Sequence, residues 1–195
     1  MIDLTPACEA TAALVADLHD DELVLPTPCD AMDVAGVVAH LDLAGQGFTL
    51  IARRATGEPS PPFGPERGPT WRPDVAAVLA ELADAWHHPA TWEGASGTGV
   101  ELPNATWGLV ALTEVVVHGW DLARATGRPL RFPDDVLRVT LEHVRAFVPT
   151  APVPALWGTP ETLPDTTPLL DRVVAATGRT PEGRSPRACP LGGLY

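Results

Sequence analysis

The chain has 195 residues, of which 13 are basic and 25 acidic, giving a formal net charge of −12 and a pI near 4.7. A surface this acidic repels phosphate backbones and anionic lipid, so neither nucleic acid nor a membrane is an expected partner. All 13 cations are Arg, and without Lys there is no Schiff-base chemistry, no pyridoxal phosphate anchor and no P-loop.

The N-terminus has no basic region leading into an apolar run, so no secretory signal is expected. No apolar segment is read as approaching the ~20 residues that span a bilayer. Cys8, Cys29 and Cys189 are odd in number and far apart, without Cys-x-x-Cys spacing. That argues against a disulfide framework and a thiolate zinc site, and for a reducing, cytoplasmic setting.

In chain order, residues 5–19 form a first amphipathic helix, with Thr5 as its cap and Pro6 in its first turn. Cys8 in that turn reads as a packed thiol. An acidic run, 20–22, and the connector Pro26-Thr27-Pro28-Cys29 follow; Cys29 would be a nucleophile only with a base beside it. Asp33 caps a second helix over 34–55, stopped by Gly57, with Val34, Val37, Leu41, Phe48 and Ile51 on its apolar stripe. His40 lies beside that stripe, near Gly36, Ala44 and Gly47, whose small size leaves room.

Residues 57–73 are a proline-rich excursion. A third helix runs from Pro73 to about His87, and the glycine-bearing segment 88–104 allows a short hairpin. The central helix spans 105–126 and stops at Gly127 with Pro129 beyond. A fifth starts at Pro133 with Asp134 and Asp135 and reaches about Val148. Residues 149–168 hold six prolines and read as extended chain. A short last helix covers 168–176. Residues 1–178 form one domain and 179–195 a mobile tail. The fold class is all-α: long antiparallel helices joined by proline-rich connections.

The central helix carries the functional signal. It is apolar on most sides, as a buried helix is, yet Glu114, His118 and Asp121 line one side at spacings of four and three. Ionisable groups in a buried helix are costly unless they pair or bind something. Glu114 and His118 on adjacent turns, with His40 from a facing helix, make two imidazoles and a carboxylate. That set suits zinc with an open position for water or substrate, and it also accepts nickel or iron. The plain alternative is a buried Glu and His that satisfy each other. Asp121 either braces a ligand imidazole from behind or pairs with Arg124 or Arg128. Trp120 reads as core. His143 beside Glu142 reads as solvated; His87 and His88 sit at a helix end, which favours protonated imidazole, and His19 in an acidic run, and none of the four is read as functional.

Leu-Pro-Thr-Pro-Cys-Asp (25–30), Val-Val-Ala-His-Leu (37–41) and Glu-Val-Val-Val-His-Gly-Trp-Asp-Leu-Ala-Arg-Ala-Thr-Gly (114–127) resemble the DinB-like superfamily. Within it they are most similar to the metal-binding domain of mycothiol-dependent maleylpyruvate isomerases. The closing Leu-Leu-Asp-Arg-Val-Val-Ala-Ala-Thr-Gly-Arg (169–179) resembles the end of single-domain members. The resemblance implies a DinB-like four-helix bundle holding a divalent metal, usually zinc, by His40, Glu114 and His118. It also implies mycothiol as co-substrate: its thiolate adds to an activated double bond, rotation follows, and the thiol leaves. Related proteins transfer the thiol.

Two departures stand out. Ala31-Met32 replaces the relatives' Gly-Trp, and residues 149–195 are too few for the isomerases' C-terminal domain, so maleylpyruvate is not the expected substrate. The expectation is a monomeric or homodimeric, thiol-dependent isomerase or transferase acting on a small electrophile. The alternatives are a non-catalytic metal-stabilised ligand-binding bundle and a metal-assisted hydrolase.

Overall fold

A computed structural model describes residues 1–55, 57, 59, 70–97, 100–154 and 157–182. Helix α1 spans Thr5–Ala16, α2 Val34–Arg53 and α3 Trp71–Trp86. Helix α4 spans Asn104–Thr126, α5 Asp134–Phe147 and α6 Leu169–Ala176. Two two-residue strands, β1 (Ala95–Ser96) and β2 (Leu102–Pro103), pair antiparallel just before α4. They are the hairpin that the glycines of 88–104 allow. The fold is an all-α, DinB-like bundle, as expected. Helices α1 and α2 each pack on both α3 and α4, closing a ring of four, while α5 lies on α4 and pairs with α6.

Several boundaries differ from the sequence reading, each for a local reason. Thr5 is itself the first helical residue and Leu4 holds the cap position without a side-chain cap, while Asp3 just before it accepts from the Thr5 backbone N–H through Oδ1 at 2.9 Å. The helix ends at Ala16, short of residue 19, because Asp20–Glu22 turn as a separate 3₁₀ segment closed by the His19 N–H on Glu22. Asp33 does cap α2, accepting from the Gly36 N–H at 2.8 Å. The stop is Arg54 rather than Gly57. Arg54 takes the left-handed conformation (φ 51°), and its guanidinium is anchored on the Glu93 carbonyl at 2.9 Å. Helix α3 begins at Trp71, which leaves Pro73 in its first turn. Most of the proline-rich excursion, residues 60–69, lies outside the described residues, as does the tail from residue 183.

Helix α2 corrects one expectation. Its 20 residues have a mean hydropathy of 1.4 over the most apolar window, long and apolar enough to cross a membrane. Here 61 % of that window is buried inside the bundle, where Val34, Val37, Val38, Leu41 and Phe48 face α3 and α4. Helix α4 is buried along most of its length and ends at Gly127, whose φ of 68° favours glycine. Close approach of α1 to α4 depends on Gly119, since a Cβ there would sit 2.7 Å from Thr11 Oγ1. Thr11 itself donates to the Val115 carbonyl, so the crossing is also hydrogen-bonded.

His143 is a second correction. It is 8 % exposed and stacked on Phe147 with ring centroids 5.0 Å apart. Val136, Thr140, His143 and Phe147 recur at spacings of four, three and four, the inward seam of α5, which outweighs the solvated Glu142 beside it. Burial pushes the imidazole down to about pH 4. An unfolded His titrates near 6.5. Between those values the unfolded chain binds the extra proton, so stability falls as pH drops from about 6.5 to about 4 and is level above. His143 should contribute up to roughly 3 kcal/mol to that loss. Urea midpoints at pH 7 and pH 4.5 check this: the drop should be clearly smaller in His143→Gln. An equal drop in both proteins would show that His143 stays neutral in both states or charges in both.

Candidate metal centre

Three side chains from two helices converge between α2 and α4. His40 comes from the middle of α2, and Glu114 and His118 from successive turns of α4. His40 Nε2 lies 3.1 Å from Glu114 Oε2, and His118 Nε2 lies 3.2 Å from the same oxygen. The two imidazoles meet edge to face with centroids 4.6 Å apart. One ligand-capable atom from each of the three lies within 4.8 Å of the others, and all three residues are buried. Such a group needs a cation or protons to offset the cost of its burial.

Asp121, one turn further along α4, stands behind His118. Its Oδ2 is 2.9 Å from His118 Nδ1. An ionised carboxylate only accepts, so Nδ1 carries the proton and Nε2 turns its lone pair, or a second proton, toward Glu114. Neutral His118 thus presents a lone pair to a carboxylate oxygen, an arrangement that a cation placed among the three groups relieves. The donor set fits a divalent ion on these grounds.

The guanidinium partner of Asp121 is neither Arg124 nor Arg128. Arg128 donates to Glu22 at 2.5 Å and to the Asp17 carbonyl, and Arg124 lies over the Trp120 ring. The partner is Arg179: its Nε lies 2.9 Å from Asp121 Oδ1 and its Nη2 2.9 Å from Oδ2, a two-pronged contact. Arg179, the first residue of the segment read as a tail, is held by its N–H on the Val174 carbonyl just past α6. The signal for it was present in sequence, in the Ala-Thr-Gly-Arg that closes the motif 169–179.

The charges follow from these contacts. Burial pushes the Glu114 carboxyl up, but hydrogen bonds with His118 and His40 outweigh it and hold the group well below the ordinary carboxylate range. For Asp121, burial is likewise overcome by Arg179 and the His118 hydrogen bond, leaving it ionised. Burial lowers His40, with the Glu114 hydrogen bond offsetting only part of this, so its imidazole favours the neutral, ligating form.

The other candidates lie elsewhere. Trp120 is core at 3 % exposure, and His19, His87 and His88 are exposed. Cys8 and Cys29 are buried and free; burial, with Asp3 and Glu9 nearby, pushes the Cys8 thiol up to about 12, which makes it inert. Cys189 lies outside the described residues. The space beside Gly36 is taken by Met32, 3.1 Å from where a Cβ would stand.

A helical bundle with two imidazoles and a carboxylate converging from facing helices belongs to the class of buried His/Glu centres that could hold a metal. Residues 4–123 match the family model described as the mycothiol maleylpyruvate isomerase N-terminal domain, and the chain belongs to that family. It is also similar to two proteins of Mycobacterium tuberculosis, uncharacterized protein Rv0738 (strain ATCC 25618 / H37Rv) and uncharacterized protein MT0763 (strain CDC 1551 / Oshkosh). Each is 30 % identical over 181 residues, covering 89 % of this chain and 94 % of the relative. No solved structure matches.

Proposed function

We propose that His40, Glu114 and His118 bind one divalent ion, zinc by donor type with nickel or iron accepted by the same set, and that the protein is a cytoplasmic, mycothiol-dependent isomerase or transferase. The observation that carries this reading is the convergence of three ligand atoms from two helices within 4.8 Å, inside a buried site. Family membership supports the thiol.

A bound ion would supply a Lewis acid that lowers the pKa of a thiol brought to it. The chain's own residues do the rest. Asp121 fixes the His118 tautomer, so that Nε2 faces inward. Arg179 balances the charge of Asp121, leaving Glu114 to balance the ion. The buried walls exclude water, which strengthens every charge interaction at the site. Metal-assisted hydrolysis is less well supported, because it needs a carboxylate free to act as base. Glu114 faces both imidazoles and Asp121 is engaged by His118 and Arg179.

The test is a thiol assay on purified protein with a model Michael acceptor. Adduct formation should require mycothiol, stop on addition of a strong chelator and return with zinc. If the chelated protein keeps its rate, or other small thiols serve equally well at equal thiolate concentration, the thiol reading fails. Metal binding without any turnover would instead favour a non-catalytic metal-stabilised bundle.

A further inference from the structure

A narrow apolar cleft runs down to Glu114. Trp107, Val110 and Glu114 follow one another at spacings of three and four along α4 and form its inner wall. Phe147, Val153 and Trp157, from the end of α5 and the chain beyond it, form the outer wall. The Trp107 indole N–H is used on the Ser96 carbonyl, and Trp157 meets Phe147 edge to face at 6.2 Å, so the aromatic walls are set in place. Glu114 is the sole ionisable group among the described lining residues. The free volume is about 20 Å³, room for one water-sized group.

We infer that this cleft seats a small neutral, apolar substituent of the electrophile, of methyl size, beside the buried stem of Glu114, and that it rejects a carboxylate at the same position. The inference rests on the metal and thiol reading above, and it specifies the substrate class for that site. No described cation lines the cleft, and Arg179 is committed to Asp121. A substrate carboxylate would therefore lose its water among apolar walls that offer it no cation and no hydrogen-bond donor, which is costly. A methyl group there only exchanges water for aromatic and aliphatic contacts.

Methyl crotonate and monomethyl fumarate test this, since they differ in a methyl against a carboxylate on the same alkene. Rates of mycothiol addition are taken relative to the uncatalysed reaction. The enhancement for methyl crotonate should exceed that for monomethyl fumarate by at least about tenfold. Val153→Arg, at a half-buried position on the outer wall, should narrow that ratio by roughly tenfold with zinc content unchanged.

A second readout does not need turnover. In native and chelator-treated protein, methyl crotonate should shift the indole N–H resonances of Trp107 and Trp157, and monomethyl fumarate should not. Equal or greater response to the fumarate, or no shift from either in zinc-loaded protein, overturns the inference. If no zinc binds yet the crotonate shifts persist, the cleft stands and the metal reading falls.

Discussion

Replacing Arg179 by Met should destabilise the protein by about 3–5 kcal/mol and weaken its hold on a divalent ion by roughly 10- to 100-fold. The Asp121 side chain is fully buried and that of Arg179 is 10 % exposed. Removing one partner of a buried pair leaves the other charge without compensation, a larger cost than the net worth of the pair. The loss then passes to His118. An Asp121 that recruits a proton no longer demands the Nδ1–H of His118, and the imidazole is freed to turn or change tautomer. Urea unfolding and a zinc titration measure the two effects separately. Arg179→Lys restores the charge without the two-pronged geometry and should recover stability in part. A Met variant with native stability and native zinc affinity would show that Asp121 is neutralised by other means.

Glu114→Gln should reduce divalent-ion affinity more than about 100-fold, beyond the range for residues that only orient ligands, because it removes the charge placed between both imidazoles. Its signature is thermal. Native protein in zinc at a hundred times its dissociation constant gains about 2.7 kcal/mol over chelated protein. For a chain of this size that raises Tm by roughly 5–11 °C. The Gln variant should show almost none of this rise under the same conditions. A zinc-dependent rise of native size in the variant would place the ion elsewhere in the molecule.

What the sequence exposed follows from where its signals are local. An apolar helix bearing Glu114, His118 and Asp121 on one side is readable from spacing alone, and so are the Asp33 cap and the Gly127 stop. His40 was reachable because it too lies on a long helix. Arg179 stood in the closing motif 169–179, but its pairing with Asp121, 58 positions earlier, depends on the chain past α6 returning to α4 and could not be read from spacing. The outer cleft wall escaped for the same reason: Val153 and Trp157 sit in irregular chain without periodicity. His143 was misjudged from its neighbour Glu142, when the seam from Val136 to Phe147 held the answer. At the start of α1 the helix begins at Thr5 itself, with Leu4 in the cap position, a shift of one residue that composition does not resolve.

Anomalous diffraction from crystals of the purified, zinc-supplemented protein, recorded on both sides of the zinc edge, tests the central claim most directly. The account predicts one strong peak per chain, about 2.0–2.2 Å from Nε2 of His40, Nε2 of His118 and a carboxylate oxygen of Glu114. Native crystals with no peak among these three side chains, or with His40 and His118 hydrogen-bonded to Glu114 and nothing between them, would contradict it.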